Sequence, residues 1–538
     1  MSGWLQHLII MPILLPLLIG AALAPVDEQR RGLKLGIGLV GTVGLLVIAI
    51  GLLWQADQVS GAAPSATYLL SNWPLPFGIA LAADRLAALM LLLTAVLACA
   101  TLLFAAARWD RVGVHFHALF QFLLMGVNGA FLTNDLFNLF VFFEVMLAAS
   151  YGLLLHGSGK QRVRAGLHYV AVNLAASSVF LVGVALIYAA SGSLSMADIA
   201  LRIPAMSPAD THLLETGAAI LAVAFLVKSA IWPLNFWLPA SYGAATPPVA
   251  AMFAIMTKVG IYVILRLWLL LFSDEAGASA GFGTHWLLYG GLVTLGIASL
   301  GMLAAQDFRK LAGHSVIASC GTLLAGMAIG GTGATAAMLY YLLGSTLALA
   351  AFYLLTDLLD RIRDFGADLL AVTVEAFEAE GMVLPEPEEI GVIIPAALAF
   401  LGLSFVACTL MLTGMPPLAG FVGKFALMAA ALEQGALAEV PWSTWVLVAL
   451  LILSGLAGVV ALMRLGIRLF WVPEQHRTPR LRVIEAAPIA GLLLCCILLT
   501  VYAGPVLDYL QRTAEALLHG PAFAEGILSS EPVLREGH

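Results

Sequence analysis

The sequence consists largely of apolar runs of about 20 residues that recur along its whole length, with short charged connections between them. A helix of about 20 residues crosses the roughly 30 Å hydrocarbon core of a bilayer. In lipid, backbone N–H and C=O groups must be satisfied within a helix or a closed barrel. The strand alternation of a barrel does not occur here, and only 11% of the 538 residues are charged. The chain is therefore predicted to be an all-α integral membrane protein.

The apolar runs and their charged boundaries predict fourteen transmembrane spans. The first run, which begins at Leu5, lacks a basic region before it and a convincing cleavage site after it, so we expect it to remain as the first span. The spans are predicted near residues 4–24, 33–54, 80–106, 115–133, 136–156, 167–190, 213–232, 248–271, 286–305, 314–330, 335–358, 392–414 with a broken continuation to 433, 444–470 and 485–503.

Lysine and arginine are distributed unevenly between the two sides of this map. Cytoplasmic connections of membrane proteins carry most of these residues. If the N-terminus is outside, the inner connections hold seventeen of the 25 basic residues: Arg30, Arg31, Lys34, Arg108, Arg111, Lys160, Arg162, Arg164, Arg309, Lys310, Arg361, Arg363, Arg464, Arg468, Arg477, Arg480 and Arg482. The outer segments hold only Arg202, Arg512 and Arg535. Both termini are therefore predicted to lie on the outer side.

The sequence contains no signature of covalent catalysis or of a bound cofactor. The five cysteines lie inside apolar runs without metal-ligand spacing, at positions 99, 320, 408, 495 and 496. No Walker loop and no glycine-rich dinucleotide fingerprint is present. We therefore predict no cofactor, no metal site and no nucleic-acid partner, and we do not expect an ATP-driven pump.

Four charged residues stand out inside the predicted spans, where a charged side chain is energetically expensive. They are Glu144 in the fifth span, Lys228 in the seventh, Lys258 in the eighth and Lys424 in the twelfth. The alternative for each is a buried ion pair that only fixes helix register, but four charges of matching depth on separate spans favour transport. Because a nearby carboxylate helps a buried lysine to hold its proton, Glu144 and Lys228 are expected to form a proton switch. Lys258 and Lys424 are expected to pass the proton onward.

Prolines interrupt the two spans that carry Lys228 and Lys424. Pro233 follows Lys228 in the stretch KSAIWP, and Pro416 and Pro417 precede Lys424 in the stretch GMPPLAGFVGK. A proline removes a helical hydrogen bond and leaves carbonyl groups that need other partners. Two interrupted helices in corresponding positions are typical of transporters with internal repeats. The seventh and twelfth spans are therefore predicted to be broken.

Two histidines lie near the predicted inner ends of spans. His314 begins the tenth span, close to Asp307, and His168 begins the sixth. Either is a candidate for proton relay at an entrance, and the alternative is a histidine that is simply hydrated at the interface.

The inner segment 359–391 is rich in Asp and Glu. Leu369, Leu370, Val372 and Phe377 recur among these acids at roughly helical spacing. Two interpretations stay open, an amphipathic or partner-facing segment and a solvated connector.

Four stretches carry a family resemblance that covers nearly the whole chain. They are GVNGAFLTNDLFNLFVFFEVMLAASYGLL from residue 126, KSAIWPLNFWLP from residue 228 with TKVGIY from residue 257, and GMPPLAGFVGKF from residue 414. These stretches resemble the antiporter-like subunits shared by Mrp antiporters, respiratory complex I and membrane-bound hydrogenases. Within that family, the first stretch is similar to the D-type subunits of Mrp antiporters.

The resemblance implies a definite organisation. It implies helices one to three in residues 1–111, two inverted five-helix repeats in residues 112–272 and 273–470, and helix 14 with a C-terminal tail in residues 471–538. It places Glu144, Lys228, Lys258 and Lys424 on a hydrophilic axis. It also implies a secondary-transporter subunit without a redox centre in the bacterial inner (plasma) membrane. The expected partners are other Mrp subunits, the lipid bilayer, protons, and Na⁺ or another monovalent cation.

The chain departs from the family pattern in the eleventh span. Many relatives carry a histidine and a lysine there, whereas this sequence has Gly344 and Leu349 at the matching positions. A relay through this span would have to use Ser345, Thr346 and water. Two alternative functions stay open: a proton-pumping arm subunit of a respiratory or hydrogenase-type complex, and a structural subunit whose charges fix assembly.

Overall fold

The computed structural model describes residues 7–58, 66–380, 396–433, 440–470 and 481–530, with side chains described for all of these except 362–380. The first half contains ten helices: α1 (Met11–Leu23), α2 (Arg31–Asp57), α3 (Arg85–Ala105), α4 (Phe116–Leu132), α5 (Leu136–Leu155), α6 (Lys160–Ser191), α7 (Met196–Arg202), α8 (Pro208–Lys228), α9 (Leu238–Ala244) and α10 (Pro247–Leu271).

The second half contains nine further helices within the described ranges. They are α11 (Thr284–Ala304), α12 (Phe308–Ile329), α13 (Thr332–Glu380), α14 (Ala396–Thr413), α15 (Ala419–Glu433), α16 (Trp442–Phe470), α17 (Val483–Val501), α18 (Ala503–Leu518) and α19 (Gly520–Leu528). Helix α13 continues past the predicted end of the eleventh span into the acidic segment. The side chains on which its expected amphipathic character depends lie outside the described residues.

A helix lies within the described part of every predicted span. Twelve helices in the described part of the chain are long and apolar enough to cross a membrane, and α1 and α4, with 13 and 17 residues, are shorter apolar helices. The chain is therefore a multi-pass helical membrane protein. The count of fourteen spans, the repeats and the orientation of the termini stay predictions.

The third span begins later than predicted because its first residues form a strand. Strands β1 (Ala66–Leu69) and β2 (Ala80–Ala83) pair antiparallel, with Ala66 opposite Ala83. Asp84 then caps α3, since its carboxylate accepts a hydrogen bond of 2.9 Å from the Ala87 amide. The long loop after the second span therefore ends in a small hairpin.

Helices α10 and α13 lie at the centre of the bundle. Their apolar windows are buried throughout, whereas half or more of the window is not fully buried in most of the other long helices. A helix that is apolar all round is typical of such an interior position. Lys258 on α10 is therefore surrounded by protein on every side.

Charged residues at or near the predicted inner side form ion pairs with one another. Arg361 pairs with Asp357 of its own helix and, over 2.7 Å, with Glu485 of α17, and Arg108 also pairs with Asp357. Arg309 pairs with Asp360 over 2.9 Å. These contacts agree with a common side for the connections that carry them.

The C-terminal helices α18 and α19 pack on residues from the first half of the chain. The Tyr509 hydroxyl donates to the Arg85 carbonyl over 3.0 Å, and Arg512 lies 2.8 Å from Asp57. The guanidinium group of Arg266 lies 5.0 Å from the centre of the Phe523 ring.

Candidate functional site

The seventh span is interrupted directly after Lys228. Helix α8 ends at Lys228, and residues 229–237, which include Pro233, are not helical. The carbonyl of Val227 accepts hydrogen bonds from the indole nitrogen of Trp237 over 3.1 Å and from the Ala230 amide over 3.0 Å. Lys228 therefore lies at a helix C-terminus, where the partial negative charge of the backbone favours a cation.

Ser177 on α6 joins Glu144 on α5 to Lys228 on α8. The ammonium nitrogen of Lys228 donates to Ser177 Oγ over 3.3 Å, and Ser177 Oγ donates to Glu144 Oε1. Lys228 is 5% exposed, and its nitrogen lies 5.1 Å from the centre of the Phe143 ring. The structure thus brings the predicted pair together with one hydroxyl between the two charges.

Lys258 lies near the middle of α10 and is fully buried. Its ammonium nitrogen donates to Ser319 Oγ and lies 3.4 Å from Cys320 Sγ, both on α12. Two residues along the helix, a Cβ atom at Gly260 would overlap the hydroxyl of Ser229. The missing side chain lets α10 approach the end of α8 at Gly260.

Lys424 lies beyond the second break. Helix α14 ends at Thr413 and α15 begins at Ala419, with Pro416 and Pro417 between them. The ammonium nitrogen of Lys424 donates to the Thr413 carbonyl over 3.0 Å and is buried. Lys424 therefore satisfies a carbonyl at the C-terminus of α14.

The remaining relay candidates have local partners. The hydroxyls of Ser345 and Thr346 both donate to the Leu342 carbonyl of their own helix. The His314 ring packs against Gly301 of α11, where a Cβ atom would overlap it. Within the described ranges, no hydrogen bond or ion pair joins Lys258 directly to Lys228 or Lys424.

A cleft of 1290 Å³ opens beside α9 and the start of α6, and His168 lies in its wall. Its other charged residues are Lys160, Arg164, Asp307, Arg309, Lys310 and Asp360. The span map puts all of them on the inner side. The cleft therefore gives His168 and Asp307 a shared polar surface there.

Several hydroxyl groups at the site are absent from the sequence-based prediction. Ser177 and Ser319 contact the buried lysines, and Thr322 on α12 interacts with the hydroxyl of Tyr341 on α13. Serine and threonine are common in transmembrane helices, because their hydroxyls can bond to a carbonyl of the same helix. Nothing in the spacing of these residues distinguishes them from ordinary core positions.

No metal centre is evident in the described ranges, where no three His, Cys, Asp or Glu residues lie close enough to hold an ion. The fold and the site together define a multi-pass helical membrane protein with three buried lysines and a half-buried carboxylate, and two of the lysines lie beside helix ends. Isolated charges in such positions are typical of proton and ion pathways.

Comparisons with known proteins agree with this class. Residues 133–367 match the family model described as NADH:quinone oxidoreductase/Mrp antiporter, transmembrane. The D-type subunit of a probable K(+)/H(+) antiporter of Rhizobium meliloti is 53% identical over 98% of this chain and 99% of its own length. The D-type subunit of a Na(+)/H(+) antiporter of Alkalihalophilus pseudofirmus is 33% identical over 97% of this chain and 100% of its own length. The chain belongs to the family of D-type subunits of Mrp antiporters.

A solved structure has the same fold. A chain of the Mrp complex from Dietzia superposes with a TM-score of 0.80 at 24% identity, covering 98% of this chain and 100% of that chain. At this identity the likeness concerns the arrangement of the helices.

Proposed function

We propose that the protein is the D-type subunit of a multisubunit monovalent cation/proton antiporter of the bacterial inner membrane, with both termini outside. Protons cross its interior through a relay of Glu144, Lys228, Lys258 and Lys424, aided by water. The other subunits of the antiporter are its partners, and Na⁺ or another monovalent cation is exchanged for protons by the complex.

The single observation that carries the relay is the Glu144–Ser177–Lys228 bridge. In this geometry the ammonium group donates to the hydroxyl, and the hydroxyl donates to the carboxylate. A concerted shift of both protons converts a charged pair into a neutral amine and a neutral carboxylic acid. The serine loses one proton and gains one, so it is unchanged. The bridge therefore lets Lys228 release its proton without stranding a lone charge in the interior.

The two helix breaks support the onward stations. Both Lys228 and Lys424 are held beside the C-terminus of a helix that stops inside a span. We assign the breaks to corresponding positions of two inverted repeats, residues 112–272 and 273–470. His314 and His168 are assigned to the inner entrance, and His168 lines the charged cleft.

A respiratory-complex subunit is the alternative for a chain of this fold. The 53% identity to the D-type subunit of an antiporter over almost the whole chain favours the antiporter assignment. The proteins that co-purify with the tagged chain test this choice, because we expect antiporter subunits. Quinone- and iron–sulfur-bearing partners would contradict it.

Exchange in inverted membrane vesicles tests the relay. Lys228→Ala should abolish proton movement driven by added cation, because no neighbouring residue of α8 replaces its ammonium group, while the complex still assembles. Glu144→Gln should also abolish exchange, because the bridge then lacks its carboxylate acceptor. Glu144→Asp should keep partial activity with a shifted pH optimum.

Assembly is the control for these variants and is measured by co-purification of the other subunits. Removing one member of a buried pair costs about 3–5 kcal/mol when the other stays charged, so loss of assembly would point to a structural pair. Wild-type exchange by Glu144→Gln between about pH 6 and 9, a range that covers the plausible shifts of a buried lysine, would refute the relay.

A further inference from the structure

Lys258 has a place in the proposed relay but no carboxylate beside it. Helices α10 and α12 contain no Asp or Glu, and the first acid on α13, Asp357, is bonded to Arg108 and Arg361. In the described ranges no salt bridge reaches Lys258, which is fully buried. A lone ammonium group in such a place is costly unless a different kind of side chain supplies the negative charge.

The ammonium nitrogen of Lys258 contacts two side chains of α12. It donates to Ser319 Oγ, whose own hydrogen is directed to the Val316 carbonyl over 2.9 Å. It also lies 3.4 Å from Cys320 Sγ, within hydrogen-bond range for sulfur. A thiol ionises near neutral pH, whereas a serine hydroxyl does not. Of these two contacts, Cys320 is therefore the one that can take a negative charge.

Close packing of α12 on α11 fixes the position of Cys320. A Cβ atom at Gly321, the next residue, would lie 2.8 Å from the carbonyl oxygen of Gly291 on α11. The two backbones therefore touch beside Cys320, which is 0% exposed. Because the thiol is shielded from solvent, the described group with which it can exchange a proton directly is the amine of Lys258.

Proton affinity favours the charged form of this pair. In water a proton prefers an amine to a thiolate by about 100-fold. Burial acts in the opposite direction because it penalises both charges. Opposite charges 3.4 Å apart attract each other, however, and a neighbouring lysine is one of the groups that stabilise a thiolate in proteins. The pair can therefore keep its proton on nitrogen without leaving a lone charge in the interior.

We propose that Cys320 is a proton carrier that forms an ammonium–thiolate pair with Lys258, a role that rests on the proposed function. At rest the proton is on nitrogen and the sulfur is ionised, so the pair is neutral overall. An arriving proton converts the thiolate into a thiol, and the ammonium group, now without a counter-charge, gives its proton to the next station. The thiol then returns its proton to the amine. One proton enters and one leaves, no electrons are transferred, and both side chains end as they began.

Cys320→Ser separates ionisation from packing, since a hydroxyl can accept the hydrogen bond of Lys258 but does not ionise. Cys408→Ser is the matched control, because Cys408 on α14 is as deeply buried and, in the described ranges, forms no hydrogen bond to a lysine. In inverted vesicles that contain the complete complex, we expect Cys320→Ser to slow exchange by about 100-fold, the lower end of what a positioned proton-transfer group contributes. Cys408→Ser should exchange at the wild-type rate. Wild-type exchange by Cys320→Ser would overturn the proposal, and so would an equal loss in the two serine variants.

The S–H stretching band in the infrared spectrum of the purified complex reports which cysteines are protonated. Cys408→Ala should remove the share of one thiol from this band. Cys320→Ala should leave the band as it is in the wild type, because Cys320 carries no proton at rest. A band that loses the same share in both alanine variants would contradict the thiolate. This comparison also decides the matter if Cys320→Ser fails to assemble.

Glu144→Gln separates the failure of this pair from the failure of the proposed function. If Glu144→Gln abolishes exchange while Cys320→Ser exchanges at the wild-type rate, the relay stands and the role of Cys320 is wrong. If Glu144→Gln exchanges normally, the relay itself is wrong, and the infrared comparison still reports on the Lys258–Cys320 pair alone.

Discussion

At the scale of single residues, the hydroxyl of Ser177 separates the ammonium group of Lys228 from the carboxylate of Glu144. A directly bonded lysine and carboxylate in a low-dielectric interior attract each other strongly and separate with difficulty. With Ser177 between them, the charges of Lys228 and Glu144 are farther apart, and the proton has a defined route from one to the other. The pair is therefore suited to repeated proton transfer.

Ser177→Ala should slow exchange while the complex still assembles. The expected loss is roughly tenfold to 100-fold, since water fills part of the gap that the hydroxyl leaves. Ser178→Ala is the control, because Ser178 is exposed and its hydroxyl bonds to Leu174 of its own helix. Equal rates for the two alanine variants in inverted vesicles would show that the bridge is not used.

The sequence predicted the charged members of the site but not its hydroxyl groups. Glu144 and the three lysines are conspicuous because a charge inside a span is costly without a function or a partner. Ser177, Ser319 and Thr322 carry no such penalty, since a hydroxyl can bond to its own helix. Only the packing of α6 and α12 against their neighbours gives these hydroxyls a role.

At the scale of helices, a side chain donates a hydrogen bond to a carbonyl at the end of α8 and at the end of α14. The donor is Trp237 at the end of α8 and Lys424 at the end of α14. The second break also depends on a close approach, because a Cβ atom at Gly420 would overlap the Met411 carbonyl. The position of Lys424 is therefore coupled to the spacing between α14 and α15.

Gly420→Ala should disturb this spacing. The added methyl group pushes α15 from the end of α14, which weakens the contact of Lys424 with Thr413 and costs about 1–3 kcal/mol of stability. We expect a lower melting temperature of the purified complex and reduced exchange. Gly402→Ala on α14 is the control, because no atom lies within 4 Å of its Cβ position. Equal melting temperatures would show that α15 tolerates the methyl group.

Sequence periodicity located the helices well and their exact ends less well. Long apolar runs mark the segments that are buried in the membrane or the protein, and a helix lies in the described part of each predicted span. The hairpin before α3 was missed because Ala80–Ala83 is as apolar as the helix that follows it. The Asp84 cap, which ends the extended segment, is a local hydrogen bond that hydropathy does not report.

At the scale of the whole molecule, charge counting and structure agree on which connections share a side. Arg361, in a connection predicted inside, pairs with Glu485 at the inner end of the predicted fourteenth span, and Arg512 and Asp57 come from segments that are both predicted outside. A single error in the span map would have separated such pairs. Which side faces the cytoplasm still depends on the positive-inside rule.

Labelling of introduced cysteines tests the orientation. Ser158→Cys should react with an impermeant thiol reagent only from the cytoplasmic side, and Glu275→Cys only from the outer side. The unsubstituted chain measures background, since Cys99 and Cys495 are half-buried and the other three cysteines are buried. Labelling of both positions from one side would refute the map.

The contacts of α18 and α19 have a consequence for the order in which the protein is made. Asp57, Arg85 and Arg266 enter the membrane early in synthesis, but their partners Arg512, Tyr509 and Phe523 are translated last. The early helices are therefore in the membrane before the residues that contact these three side chains have been translated. One face of the molecule closes only when the ribosome has reached the end of the message, so a chain cut short by a premature stop codon leaves that face open.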